Sequence, residues 1–597
     1  MKSLIALSQM LLNDIGERCG VCTLRDWKTV SDRVEHEGIS FLTISLPAFA
    51  KDLERSLDEG RVDDASFAGF KRVRGLPQFL GGFLRQVFDC DTGILRTSPS
   101  IDAILSLRQF LMAFGKIELP CSDEREAAAM AAYVRCDSDV ELHNSLVSPL
   151  DREAFRRVAK IMFWEVFSAI DVRVDSNELL PRHGPGNTAE KLLGNEKWTL
   201  NEWTQRLDAI FPMAEYLVPN YWHFDTLQDV DVREPGAERP VRVVSVPKTL
   251  KTPRIIAIEP TCMQYMQQAL MREFVDGLEG SSLVGPLIGF TDQVPNQELA
   301  RSGSLNGELA TLDLSEASDR VSLQHALDLL DGHPSLREGV LACRSTHADV
   351  PGFGVVPLAK FASMGSALCF PIEAMVFLTI IVLAVSEELS VPVTSTLIRG
   401  MAGRVRVYGD DIIVPAHFAP AVARRLEDFG LKVNVRKSFW TGKFRESCGG
   451  DFYDGTNVTP VRVRRVLPST RQHASELVSA VSLRNQLHSR GFEHSVAYLD
   501  KLISRILPVY PFVGPDSPGL GRHTYNPLQA ERMCTRLHRP LVKAYVASSS
   551  PPASELMDHG ALMKFFLGRG HEPLPTNAFT HAGRPSSVRI KMRWIPV

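Results

Sequence analysis

A mixed α/β (α+β) fold, an antiparallel sheet backed by helices, is predicted by three stretches of this sequence. Arg404–Val414 alternates Arg and Val up to Tyr408-Gly409 and resumes as Ile412-Ile413-Val414, the pattern of a tight hairpin that carries Asp410 and Asp411 at its tip. Glu308–Asp313 is a short strand-forming run that opens towards a helix, because Leu323, Ala326, Leu327 and Leu330 recur at helical spacing and Ser315–Asp319 offer helix-starting residues. Ala374–Val385 is a 12-residue apolar run, predicted to be a buried helix and well under the ~18 residues needed to span a bilayer. Ahead of these, residues 1 to about 180 read as helical segments with short loops.

Composition bounds the rest. With 597 residues, 44% of them hydrophobic and 23% charged, the chain is long enough for several lobes with real cores, and wholesale disorder is excluded. A net charge of -3 excludes bulk electrostatic coating of nucleic acid but leaves room for a local basic channel. Ten thinly spread cysteines fit a reducing compartment and not a disulfide scaffold, and Cys19-Gly-Val-Cys22, with no second ligand pair, reads as structural. Gln9, Asn13 and Asp14 interrupt the N-terminal apolar stretch, so no signal peptide is predicted. Cys121–Glu153, with eight Asp/Glu against three Arg, is expected to form a solvated outer surface away from any polyanion, and Ser548–Ser554 a linker.

The chemistry concentrates around the hairpin. Composition alone predicts about 0.002 occurrences of Tyr-Gly-Asp-Asp, so Tyr408–Asp411 is not background. Two unit charges ~4 Å apart repel by about 4 kcal/mol at an effective dielectric of 20, which makes a divalent cation the natural compensator, and Asp313 is the third carboxylate available. Asp319 reads equally well as a charge at a helix N-terminus. Ala362–Glu373 is a small-residue loop feeding the apolar helix, suited to close passage of a ribose or backbone, and Glu373 must be partnered or face a polar cleft. Arg239–Ile256 holds five positive charges and no acid, among them Lys248, Lys251 and Arg254 in a Pro-bounded loop fit to clamp a triphosphate. Lys432–Arg445 holds five more, extended by Arg462, Arg464, Arg465 and Arg471 and at the C-terminus by Arg584, Arg589, Lys591, Arg593 and Trp594. Interleaved with Phe439, Trp440 and Phe444, these suit a channel for single-stranded nucleic acid. Arg182–Asn187 is a turn cluster.

Asp313, Ser363-Met-Gly and Tyr408-Gly-Asp-Asp, in this order, resemble the motifs of right-hand RNA-directed RNA polymerases, and more narrowly the replicase subunit of positive-strand RNA bacteriophages, the levivirus group. Thr291–Ala300, Ala310–Asp319, Val246–Pro260 and Phe444–Gly449 are similar strings, and the resemblance covers about 180 to 465. It implies a palm with an antiparallel sheet between fingers and thumb: 1–180 helical and part of the fingers, 181–305 fingers with the basic motif, 306–455 palm (336–354 a candidate fingers insertion), and 456–597 a mostly helical thumb. It implies catalytic and metal roles for Asp313, Asp410 and Asp411, with two Mg²⁺ or alternatively Mn²⁺, and matches Lys437 to a lysine that protonates pyrophosphate. Lys248, Lys251, Arg254, Ser363 and Gly365 match nucleotide-binding positions. Ser366 and Cys369 stand where the phage replicases carry Asn and Thr, so Ser318, Asp319 and Ser366 are the candidates for sensing the ribose 2′-OH. The implied partners are single-stranded RNA template, nascent RNA, ribonucleoside triphosphates and host translation proteins, elongation factors Tu and Ts among them, in the bacterial cytoplasm and without a membrane. A reverse transcriptase-like palm enzyme and a non-catalytic RNA-binding scaffold are the competing readings.

Overall fold

The computed structural model describes residues 2–551, 553, 555–568, 585 and 587–597. Along the motif-bearing middle, two long helices, α1 (Asp123–Leu146) and α2 (Pro149–Asp175), precede strands β1 (Val241–Val246) and β2 (Arg254–Ile258). Helices α3 (Thr261–Gly280) and α4 (Val294–Asn306) then lead to strand β3 (Leu309–Leu312). The hairpin β4 (His347–Val350) and β5 (Gly354–Pro357), helix α5 (Cys369–Leu389), the hairpin β6 (Arg406–Tyr408) and β7 (Asp411–Pro415), and the hairpin β8 (Phe444–Ser447) and β9 (Gly450–Tyr453) complete it.

Two sheets organise this part. The first has the order β6-β7-β3 and is antiparallel throughout, with Ile412 opposite Leu312 and Val414 opposite Ala310. The second has the order β2-β1-β4-β5, so the basic loop 247–253 is the connection of an antiparallel pair, as its strand-like ends predicted, and β4 joins that pair in parallel. Helix α5 backs the first sheet, and its residues from Pro371 to Ser386 are buried. At 21 residues it is long and apolar enough to cross a membrane, longer than the run of 12 suggested, because Cys369–Glu373 and Ser386–Leu389 continue the helix at both ends. Packing on every side by α2, β3, β7 and their neighbours accounts for its apolarity.

A second core crosses the chain. Leu4, Leu11, Phe49 and Phe110 from the N-terminal helices pack with Phe444, Tyr453, Leu477, Leu499 and Tyr510. The first 180 residues are therefore divided: those up to Ile117 build the second core, whereas α2 belongs with the sheet β6-β7-β3. Beyond Tyr453 the expected mostly helical region holds, among the described residues, the helices Ala474–Ser489, Glu493–Ile506 and His559–Gly568 together with an antiparallel sheet in which Arg539–Ser550 pairs with Ser587–Pro596. Ser548, Ser549 and Ser550 are strand residues opposite Arg589, Val588 and Ser587 and not a linker, because a long cross-strand register outweighs weak serine propensity. Pro552, Ser554 and Arg584 lie outside the described residues.

The acidic stretch also departs from expectation. Helix α1 has an exposed face, but its other face packs on the motif region: Asp137 accepts from the backbone N–H groups of Ala359 and Lys360 at 3.0 Å, Asp139 pairs with Arg320 at 3.2 Å, and Arg125 donates to Leu250 O at 2.6 Å. Charge counting missed this because those acids serve as internal acceptors. Cys19 and Cys22 are free thiols, Cys19 half-buried and donating to Ser106 Oγ, as a structural reading requires.

Candidate active site

The three aspartates lie at one edge of the sheet, where β3 ends and β7 begins. Tyr408 pairs directly with Asp411, so Gly409 and Asp410 are the two turn residues. Gly409 has φ 57°, and a Cβ there would meet the Phe370 ring at 2.2 Å, so only glycine closes this turn against α5. Asp410 is exposed at the tip. Asp411 opens β7 half-buried, and since Ile412 lies opposite Leu312, the antiparallel register brings Asp411 beside Asp313.

Asp313 is held from a segment outside this sheet. Lys437 Nζ donates to its Oδ1 at 3.0 Å and Asn434 Nδ2 to its Oδ2 at 2.9 Å, while its own N–H donates to Ser438 Oγ at 3.1 Å. Residues 433–439 run alongside β3 through the bridges Leu314–Val433 and Thr311–Phe439. Lys437 thus stands directly beside Asp313. Asn434 and Ser438 were missed, since a lone Asn or Ser in a basic run carries no signal.

Electrostatics marks these carboxylates as under-compensated. Burial raises the Asp313 pKa, Lys437 opposes the rise, and Asp410 adds to it. Asp411 is pushed up to about 6 by burial, with Asp410, Glu446 and Asp313 adding and the Cys448 N–H opposing. Glu373, at the head of α5, is pushed well above the carboxylate range by burial and by Asp410 and Asp319. The donor set is hard carboxylate oxygen, the chemistry that suits Mg²⁺ or Mn²⁺. Among the described residues, however, no three His, Cys, Asp or Glu side chains are gathered closely enough to hold a metal ion as they stand, Asp313 being turned onto Lys437.

The basic loop faces the same cleft. Lys248 is exposed and is lowered by desolvation and by Arg254 and Lys437, with Asp410 and Asp313 opposing. Lys251 and Arg254 are exposed on the same loop and strand end. The 363–366 loop lies on β2: Ala257 N donates to Met364 O at 2.9 Å, and Gly365, at φ 139°, approaches so closely that a Cβ would meet Ala257 O at 1.9 Å. Ser363 is buried, its hydroxyl 2.9 Å from Tyr133 OH. Ser366 Oγ donates to Gln267 Oε1 at 3.1 Å. Ser318 and Asp319 lie in a 3₁₀ turn, Ser318–Arg320, and the following helix Leu323–Leu329 is capped by Ser322, not by Ser315–Asp319. Asp319 Oδ1 pairs with Lys360 Nζ at 3.2 Å.

The proposed channel walls are only partly built of those basic runs. Arg445 is buried, bonding Leu309 O at 2.6 Å, and Phe439 and Phe444 are buried edge to face at 4.7 Å, because both rings join the second core. Trp440 is half-buried, and Arg464, Arg465 and Arg471 remain exposed.

Residues 229–482 match the family model described as RNA replicase, beta-chain. Among curated proteins the chain is 33% identical over 279 residues to the RNA-directed RNA polymerase beta chain of Enterobacteria phage fr, covering 46% of each. It is 37% identical over 224 residues to that of Escherichia phage MS2 and 36% identical over 228 residues to the polymerase subunit beta of Escherichia virus Qbeta. The match spans less than half the length of each relative. Among solved structures, the RNA-dependent RNA polymerase of a human picorbirnavirus superposes with a TM-score of 0.35 at 10% identity over 45% of this chain and 57% of that one. Over its motif-bearing middle, this chain is similar to the beta chains of bacteriophage RNA-directed RNA polymerases, and the resemblance carried by its motifs holds.

Proposed function

We propose that the chain performs template-directed RNA synthesis, transferring nucleotides from ribonucleoside triphosphates to the 3′ end of RNA copied from a single-stranded template. The observation that carries this reading is the register that sets Asp411 beside Asp313 with Asp410 at the adjoining tip. Asp313 and Asp410 are the groups that would hold two Mg²⁺ or Mn²⁺, with Asp411 assisting. Bound there, divalent ions acidify the 3′-OH and neutralise the triphosphate oxygens. Lys437, whose Nζ donates to Asp313 Oδ1 at 3.0 Å, would be the group to protonate departing pyrophosphate. Lys248, Lys251 and Arg254 clamp the triphosphate. Gly365 lets the 363–366 loop press on β2, which fixes the floor beneath the base pair, and base pairing selects the nucleotide. In this reading 306–455 is the palm, the β2-β1-β4-β5 sheet belongs to the fingers, and the work is done in the bacterial host, with elongation factors Tu and Ts as the expected protein partners.

The test is incorporation of labelled ribonucleotides on a single-stranded RNA template by the chain purified with its co-purifying host proteins. Asp410→Asn should abolish synthesis while leaving folding and RNA binding intact. Near-normal polymerisation by that variant would sink the reading, and equal use of deoxyribonucleotides would favour reverse transcription.

A further inference from the structure

Of the three candidates to read the sugar, Ser318, Ser366 and Asp319, packing commits both serines elsewhere, as it does the neighbouring Ser363. Ser363 Oγ is taken by Tyr133 OH, Ser366 Oγ by Gln267 Oε1, and the Ser318 hydroxyl by the Cys369 thiol. Asp319 differs: its Oδ1 is bound by Lys360 Nζ at 3.2 Å, its side chain is 22% exposed, and its Oδ2 makes no hydrogen bond among the described residues.

Lys360 has no exposure at all. Its ammonium is enclosed by Asp319 Oδ1, the Tyr133 carbonyl at 3.4 Å and the Tyr133 ring, whose centroid lies 3.7 Å away. A buried ammonium left without an anion is costly, so this lysine fixes Asp319, the carboxylate it is paired with. The lysine is itself immobilised: its N–H and that of Ala359 donate to Asp137 on α1, and Phe361 N donates to Val321 O at 2.7 Å, two residues beyond Asp319.

We propose that Lys360 is the positioning residue for sugar recognition, holding Asp319 by Oδ1 so that Oδ2 accepts from the ribose hydroxyls. The preference for ribonucleotides then depends on a lysine that never touches the substrate, anchored by the acidic helix α1. This rests on the polymerase reading of the site.

The experiment compares kcat/KM for a ribonucleoside triphosphate and the matching deoxyribonucleoside triphosphate on one RNA template, using the full chain with its co-purifying proteins. Lys360→Met should lower the ribo-to-deoxy ratio by about 10-fold or more, the range of a hydrogen bond to a charged group, with the loss confined to the ribonucleotide. Adding Lys360→Met to Asp319→Asn should lower the ratio no further, since both act on one interaction. An unchanged ratio, or equal losses for both nucleotides, would overturn the proposal and leave Lys360 a structural residue. Should Lys360→Met not be recovered folded, Lys360→Gln, neutral and too short to hold Asp319 in the same place, decides by the same ratio. A wild-type chain that makes no RNA defeats the polymerase reading and this proposal with it, whereas active wild type with an unaltered variant ratio defeats this proposal alone.

Discussion

Two clusters of buried acid lie close together in this molecule and are treated in opposite ways. In the second core Arg108, itself fully buried, binds Glu54 and Asp451 at once, Lys51 adds a bond to Glu54 at 2.7 Å, and the same lysine reaches Glu446 at 3.4 Å. Burial works against ionisation of Glu446, but Lys51, Lys437, Arg108 and Arg462 outweigh it and hold its pKa well below the usual range. At the candidate site, Asp313 has a single lysine and Asp411 has no cation within salt-bridge distance among the described residues, and both are raised. Arg108 and Lys51 set cations of the same fold against the first cluster, although burial and its acidic neighbours still push Asp451 up to about 6. The acids proposed to take a metal have fewer cations beside them, at a cost in stability.

The largest effect should come from breaking the matched cluster. Arg108→Met leaves two buried carboxylates without their cation and should cost about 3–5 kcal/mol in urea unfolding. A loss under 1 kcal/mol would mean that those acids are not in fact compensated by Arg108. Asp411→Asn probes the unmatched cluster with the opposite sign. Its carboxyl titrates near 6 in the folded chain against 3.8 when exposed, so the unfolded state binds fewer protons between those values and the wild type loses stability as pH rises through that window. Without divalent metal, the variant should therefore be more stable than wild type by up to about 3 kcal/mol at pH 7, with the gap closing below about pH 4. Added Mg²⁺ should raise the wild-type Tm more than that of the variant, and a variant less stable at pH 7 would remove the contrast between the clusters. The smallest effect marks a thiol belonging to neither: Cys22→Ser should change stability by less than about 0.5 kcal/mol, as for an exposed free cysteine, and a larger change would give the Cys19/Cys22 pair a role that packing does not.

Local pattern carried much of this far. The hairpin of Tyr408–Asp411, the strand ending at Asp313, the basic loop between β1 and β2, and the buried helix after the 363–366 loop are each set by near-neighbour periodicity and turn chemistry, and each is present. Non-local partners were not legible. Nothing near Asn434 announces that it holds Asp313, and nothing near Tyr133 announces that an acidic helix braces Ser363 and Lys360. Phe439 and Phe444 read as stacking platforms because alternation tells which residues share a face, not whether that face meets RNA or a core.

The amino-acid sequence by itself determined the identities and chain order of the reactive groups, since Asp313, Asp410, Asp411 and the basic loop are encoded in short strings whose backbone preferences are local. Only the tertiary structure decided how charged those groups are and what orients them. Burial, register and the cations brought in from residues far along the chain set the local field, and those depend on contacts between segments that no local pattern specifies.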